Sequence, residues 1–332
     1  MDKKRILLVY INFASFVKVD HEILSKKNIV KKYQFKASKN LVLMLIEYIK
    51  QFFFLVSNLK SFDLVYCWFA DYHTLLPIFF AKLFGKKSFL VLGGYDVTYV
   101  KKINYGSFNN PVRLYCASYS IRNAFINLPV CDNILTEALE RVPQAKTKLL
   151  YTGYNYDKFI PKYDKQSYVL TVGIADNEKS YFIKNIDFFL SVVKAMPGTK
   201  FIMVGLNDQF TPKHELPNLT IIDKISQDKL IEYYQKASVY VQFSLREGLP
   251  NSVCEAMLCG CIPVGSNKGG IPTAIGKCGY IIDSFDVDSA VKKIEKALDS
   301  TIIERKAARQ HIIDNFSLKR RENELIALVE EI

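Results

Sequence analysis

Two glutamates eight residues apart, Glu247 and Glu255, frame the segment Arg246–Gly260, R-E-G-L-P-N-S-V-C-E-A-M-L-C-G. A carboxylate is a two-oxygen acceptor matched to vicinal hydroxyls, so Glu255 suits a ribose and Glu247 a hexose. Between them, Gly248-Leu249-Pro250 makes a turn. The glycine admits a ligand to the backbone, and the proline stiffens a position that needs no donor. Asn251 or Ser252 then reads as the N-cap of a helix that Gly260 stops. The first N–H groups of a helix and the positive end of its dipole suit a phosphate. The segment therefore reads as an anion site with sugar contacts. A bare pair of glutamates on a strand–turn–helix would carry no such reading; the intervening G-L-P-N and a second glycine loop, Lys268–Pro272, favour it.

The elements that must position these residues alternate in type. In the first half, Arg5–Asn12, Phe62–Phe69 and Ser88–Leu92 read as strands, with a helical stretch through Leu75–Phe84. Asn133–Thr136 and Lys148–Thr152 read as its last strands. Residues 153–165 are polar and turn-rich, as a hinge would be. The second half restarts with the strand Tyr168–Gly173 and a helix over Ile186–Met196. Strands at Lys200–Gly205 and Leu219–Asp223 follow, then a helix from Gln227 capped by Ser226, and Ala237–Ser244 leads into the glutamate segment. Ile262–Asn267 and Gly279–Asp283 are further strands, with a helix from Asp286 to Asp299. Strand–helix alternation at this spacing predicts α/β architecture with parallel sheets. Two Rossmann-like doubly wound domains facing a central cleft are expected, over residues 1–153 and 154–316. A charged helix over 317–332 would pack back on the first.

Gly93-Gly94-Tyr95-Asp96 closes a strand of the first half, where open α/β sheets bind their ligands. Gly93, Gly94 and Asp96 are therefore candidate acceptor contacts, with Asp96 equally suited to capping the turn. Ser15 to Asp20 reads as an acceptor-side loop or a plain connection. No G-x-G-x-x-G follows the first strand, which argues against a dinucleotide there.

Hydrophobic residues at 49% and charged residues at 23% of 332 describe a globular chain of about two domains. No signal-peptide pattern is visible at Met1–Arg5. The seven cysteines include no C-x-x-C and only four histidines accompany them, so buried thiols are expected and no metal site. Residues 1–150 hold 22 Lys+Arg against 10 Asp+Glu, while residues 151–332 hold 23 of each. A basic half without a nucleic-acid signature points to an anionic membrane surface as partner, not to nucleic acid. Leu41–Lys60 is the most apolar stretch, interrupted by Glu47, Lys50 and Gln51. It reads as a core-packed helix ahead of a membrane-inserted one.

The second half resembles the retaining, nucleotide-sugar-dependent glycosyltransferases of the GT-B fold, family 4 type, also described as glycosyl transferases group 1. The resemblance rests on Val172-Gly173, K-N-I-D-F-F-L at Lys184–Leu190, F-I-M-V-G at Phe201–Gly205, E-G-L-P-N-S-V-C-E-A-M at Glu247–Met257 and G-G-I-P at Gly269–Pro272. It covers about residues 165–285. It implies that Glu255 holds the ribose, that Glu247 holds the transferred sugar, and that Lys184 neutralises the diphosphate. Backbone at Gly173, Gly248, Leu249 and Pro250 would line the donor site with Asn251 and Ser252. Many relatives carry an arginine just after the first glycine of this domain. Here Ile174 follows Gly173, and Lys179 is the substitute at hand. A histidine of the first domain also serves many relatives, and His73 is the candidate.

The reading is a metal-independent glycosyltransferase that needs no cofactor beyond its UDP- or GDP-sugar co-substrate. It would transfer to a glycan or lipid-linked acceptor with retention, in the cytoplasm at the inner face of the membrane. A nucleotide-sugar epimerase of the same fold, or a non-catalytic partner that kept the fold, are the alternatives.

Overall fold

In the computed structural model, which describes residues 3–212 and 216–332, the chain forms two compact units. One is Met1–Thr152 with Arg321–Ile332, the other Gly153–Arg320. Each is built on a parallel sheet.

In the first unit the order is β1 (Arg5–Tyr10), α1 (Ser15–Ser25), β2 (Ile29–Gln34), α2 (Leu41–Asn58), β3 (Leu64–Trp68), α3 (Tyr72–Leu83), β4 (Lys87–Leu92), α4 (Pro111–Asn123), β5 (Ile126–Pro129) and α5 (Asp132–Arg141). The sheet runs β2-β1-β3-β4-β5, all parallel. The crossovers from β2 to β3, β4 and β5 all step in one direction, so right-handedness places α2, α3 and α4 on one face and α1 on the other. Strands β1, β3 and β4 are buried nearly throughout, as parallel strands covered on both faces must be.

Four readings of the sequence are corrected here. Asn133–Thr136 lies in α5, because Ile134 and Ala138 recur at helical spacing and both are buried. The true strand, β5, ends in Pro129, which is tolerated because β5 is the sheet edge. Lys148–Thr152 runs beside β5 as irregular chain, with Lys148 and Leu150 donating to the carbonyls of Asn127 and Pro129. Ser15 to Asp20 is the start of α1, not a loop.

The fourth correction is α2. It is not core-packed: Glu47, Gln51 and Leu55 are its buried residues, and most of its apolar side chains face outward. Gln51 Nε2 donates to the carbonyl of His73 at 3.0 Å, and Tyr33 donates to Glu47 at 3.4 Å. The helix is inside out.

In the second unit the order is β6 (Gln166–Ala175), α6 (Glu178–Lys184), α7 (Ile186–Ala195), β7 (Lys200–Leu206), β8 (Leu219–Ile222), α8 (Gln227–Lys236), β9 (Ala237–Gln242), α9 (Asn251–Leu258), β10 (Ile262–Ser266), α10 (Ile271–Ile275), β11 (Tyr280–Ile282), α11 (Val287–Leu298), α12 (Ile302–Phe316) and the start of α13 (Leu318–Glu330). Its sheet runs β11-β10-β9-β6-β7-β8. Ser226 caps α8 and Asp286 caps α11, each accepting from a backbone N–H of the first turn.

The rest of α13 belongs to the first unit, where Arg321 meets Asp20 of α1. Both side chains are buried. The guanidinium donates from Nε and Nη2 to the two carboxylate oxygens at 2.7 Å each, and from Nη1 to the carbonyls of Leu150 and Tyr151. Asp20 also accepts from Tyr66 at 2.7 Å and from Trp68 Nε1 at 2.8 Å. The carboxylate beside Arg321 raises its already high pKa against the effect of burial. Removing one member of a buried pair strands the other's charge. Asp20→Ala is expected to cost about 3–5 kcal/mol of stability. Adding Arg321→Met should recover part of that loss in chemical denaturation. If the double variant unfolds as early as Asp20→Ala, the cost lies elsewhere.

Candidate active site

The second unit gathers its polar chemistry at the carboxyl end of β9. Tyr240 and Gln242 of β9 and Ser244 just beyond it recur at period two, and all three are buried. The Tyr240 hydroxyl donates to Gln242 Oε1 at 2.9 Å. Glu247 is where this row ends: its Oε1 accepts from Ser244 Oγ at 2.9 Å, Gln242 Nε2 at 3.1 Å and Lys184 Nζ at 2.6 Å. Three donors on one oxygen fix the carboxylate's position while it and Lys184 stay partly open to solvent. Leu245 N–H donates to the carbonyl of Ile183, tying the loop to the end of α6. Gly270 N–H donates to the carbonyl of Glu247. Gly269 has φ +55°, and any Cβ there would run into the Glu247 backbone, so the second glycine loop lies directly against the first.

Lys184 sits in the last turn of α6, not at a helix start as its place before Ile186–Met196 suggests. Asn185 follows with φ +53°, a left-handed conformation asparagine tolerates, and α7 begins after it. A cation at a helix C-terminus is favourable to the dipole. Its placement is therefore accounted for by the helix itself, and its contact with Glu247 brings the two site candidates together.

Glu255 lies on α9, where Gln227 Nε2 donates to its Oε1 at 2.8 Å. Burial pushes its carboxyl up to about 7, and Gln227, Tyr234 and Lys158 only partly offset that. Neither Asn251 nor Ser252 is the N-cap. Pro250 holds that position without a side-chain acceptor. Asn251 instead accepts from the Tyr154 hydroxyl at 2.9 Å, and Ser252 donates to Gln242 at 3.1 Å. A proline cap leaves the first N–H groups of α9 to other partners, which is what an anion site at that terminus requires. Leu249 and Pro250 are buried and Gly248 half-buried.

Gly173 is the point where β6 shifts register against β7. A Cβ there would meet only side-chain ends, Met203 Cε at 2.8 Å and Ile186 Cδ1 at 3.2 Å, which could shift to admit it. Lys179 lies exposed in the first turn of α6. Among the described residues, no group of three His, Cys, Asp or Glu side chains could hold a metal.

The acceptor candidates lie in the first unit. Asp96 is fully buried and serves the turn: it accepts from the N–H groups of Ala70, Gly93 and Gly94 at 2.7–3.2 Å. The space beside Gly93 is taken by the Phe69 ring, whose own φ is +65°. A bulky residue held there is unusual. His73 is fully buried, with Nε2 2.9 Å from the Trp68 carbonyl. Burial lowers its pKa to about 4, so the ring is neutral and Nε2 carries the proton that the carbonyl accepts.

His73 nevertheless borders a cavity of about 250 Å³ that the sequence reading missed, lined among others by Asn12, Phe16, Phe69, Asp71 and Arg113. Arg113 bridges to Asp71 at 2.9 Å, donates to the Tyr95 hydroxyl at 2.7 Å and packs over the rings of Tyr72 and Tyr95. No spacing links Asp71 to Arg113 in the sequence; α3 and α4 must pack before they meet.

Residues 155–315 match the model of the glycosyl transferases group 1 family. That span is just under half of the chain and lies in the second unit; the fold of the chain is that of GT-B glycosyltransferases. Over 285 residues it is 23% identical to N-acetyl-alpha-D-glucosaminyl L-malate synthase of Bacillus anthracis, covering 79% of this chain and 72% of that one. Among solved structures, sucrose-phosphate synthase from Thermosynechococcus elongatus superposes with a TM-score of 0.78 at 14% identity, covering 99% of both chains. HepE from Anabaena, solved in complex with UDP-glucose, superposes at 0.74 with 12% identity, covering 99% of this chain and 100% of that one.

A carboxyl whose folded pKa is raised binds a proton that the unfolded chain has released. Its contribution to stability therefore falls as pH rises from the ordinary glutamate range through about 7. Glu255→Gln is expected to flatten part of that fall in the unliganded protein. Melting curves between about pH 5 and pH 8 check it. Parallel slopes for the two proteins would mean that Glu255 is not desolvated.

Proposed function

We propose that this glycosyltransferase moves a hexose from a UDP- or GDP-sugar to a glycan or lipid-linked acceptor, with retention and without a metal. The observation that carries the reading is the convergence of Lys184, Glu247, the two glycine loops and the uncapped start of α9 at the carboxyl end of β9. Glycosyl transfer breaks the bond between the anomeric carbon and the diphosphate, and the electron pair leaves with the phosphate. The sugar gains oxocarbenium character while negative charge builds on the leaving group. A fixed cation and a helix N-terminus match that developing charge. Lys184 would turn from Glu247 to the diphosphate as the donor arrives, and Glu247 would then take a sugar hydroxyl. The ribose falls to Glu255, and the backbone of Gly248, Leu249 and Pro250 to the sugar and phosphate. Lys179, exposed on α6, would supply the second cation where Ile174 stands in place of the relatives' arginine.

HepE binds UDP-glucose, which favours a UDP-sugar here. A lipopolysaccharide outer core galactosyltransferase shares the fold with a TM-score of 0.70, which favours a glycan or lipid-linked acceptor. The acceptor is assigned to the first unit, near the cavity beside Arg113. The protein is placed in the cytoplasm, peripheral to the inner face of the membrane.

Thermal unfolding against UDP, GDP, ADP, CDP and their sugar conjugates tests the donor. A nucleotide at 100 times its Kd stabilises the protein by about 2.7 kcal/mol. The shift should appear for one base, strengthen as pH rises through about 7 while Glu255 ionises, and vanish in Glu255→Ala. Lys184→Met and Glu247→Gln should each lower kcat by about a hundredfold or more. Near-normal transfer by Glu255→Ala would remove it from the site.

A further inference from the structure

The outward face of α2 is the least explained surface of the molecule. Leu41, Val42, Leu45, Ile49, Phe53 and Val56 are all exposed, Leu41 by 85%, Phe53 by 63% and Leu45 by 60%. Its polar residues Glu47 and Gln51 stand one helical turn apart on the opposite face, buried with Leu55 against the domain. An amphipathic helix on a sheet normally turns these faces the other way. The apolar surface continues through ring contacts: Phe52 packs on Phe80 of α3 at 5.5 Å, and Phe80 on Phe79, itself exposed beside Leu83.

Lysines ring this surface. Between Ile29 and Phe62 the sequence holds six lysines and one acidic residue, Glu47, which is buried. All six are exposed, and Lys82 adds a seventh from α3, while Lys26 and Lys27 pair with Glu322 and Glu330 of α13. Lys31 lies 5.0 Å from the Phe54 ring centre and Lys60 5.5 Å from that of Phe84, so their chains run along the apolar surface with the charges at its edge.

We infer that the α2 face, extended by Phe79 and Leu83 of α3, is a docking surface for an anionic lipid bilayer, with α2 lying in the plane of the headgroups. Charge selects this occupant. A second copy docking through the same face would set one ring of lysines against another, since a two-fold interface pairs each patch with itself. A bilayer with anionic headgroups meets both features, accepting apolar side chains at its surface and attracting the lysines around them. The segment Leu41–Ser61 has the length and composition to cross a membrane. In the fold it cannot, because Glu47 and Gln51 are held in the domain and Gln51 is bonded to the backbone of α3.

The inference deepens the membrane-peripheral part of the function proposed above and is independent of the donor assignment. Nucleotide binding in solution tests the donor, and vesicle binding tests this surface. The full chain should float with vesicles of phosphatidylcholine and phosphatidylglycerol, bind phosphatidylcholine alone weakly, and be released in part by high salt. The double variant Leu45→Ser/Phe53→Ser should lose about tenfold or more in partition. Lys36→Glu/Lys39→Glu should lose the preference for the anionic lipid. Both alter exposed positions, so both should keep the parent's melting temperature and nucleotide shift. Failure of the wild-type chain to bind either vesicle would overturn the inference. So would undiminished binding by folded Leu45→Ser/Phe53→Ser, or a solution dimer that this variant dissociates.

Discussion

The first unit depends on a pair of charges from opposite ends of the chain. Asp20 and Arg321 are 301 residues apart and buried, and the pair is bonded on several sides: two carboxylate–guanidinium bonds, a tyrosine, an indole and two backbone carbonyls. A hydrophobic contact in that place would tolerate neighbouring registers of α13. A bidentate pair with two further donors does not. Its effect is to make the first unit discontinuous, closed by residues that follow the whole second unit. Loop closure over so long a span is expensive in entropy, and a specific contact is one way to offset it.

Where the periodicity is dictated by one buried face, the sequence is legible. The alternation of strands and helices, the caps at Ser226 and Asp286 and the glycine stop at Gly260 follow from local chemistry. The segments that misled do so for physical reasons. Pro129 disguises a strand because an edge position forgives the missing donor. Asn133–Thr136 looks β-branched and apolar, but Asp132 in the first turn and a buried Ala138 belong to a helix. Composition also says nothing about which way a helix faces. Leu41–Lys60 has the apolar content of a core helix, and only the fold shows that Glu47 and Gln51 are the residues inside.

The site divides in the same way. Glu247 and Glu255 announce themselves because two carboxylates, a proline and two glycine loops stand in one short stretch. What the spacing does not disclose is the shell that holds Glu247. Tyr240, Gln242 and Ser244 are readable in hindsight as polar residues at period two in a strand that ought to be wholly apolar. At Asp96 the sequence leaves two roles open, a ligand contact and the partner of its own turn, and the fold shows the second: three backbone N–H groups donate to it. A polar residue next to glycine is as often the turn's own partner, and only the count of its hydrogen bonds distinguishes the two. Arg113 carried no signal, since its partners lie on other elements of the fold.

The distribution of charge sharpens this point. The first unit holds 23 Lys+Arg against 14 Asp+Glu, the second 22 against 19. If net charge recruited an anionic donor, the excess should lie in the second unit, where the donor site is proposed. It lies in the other. In the proposed donor site, anion chemistry at the end of β9 would come instead from Lys184 and the start of α9, groups whose direction is fixed and whose effect falls off within a few ångströms. Diffuse positive charge acts at longer range on extended anionic surfaces and fades with salt. The two kinds of electrostatics therefore suit different partners: preorganised groups suit a small ligand that must be held at one angle, and a broad lysine field around an apolar face suits a partner without fixed geometry.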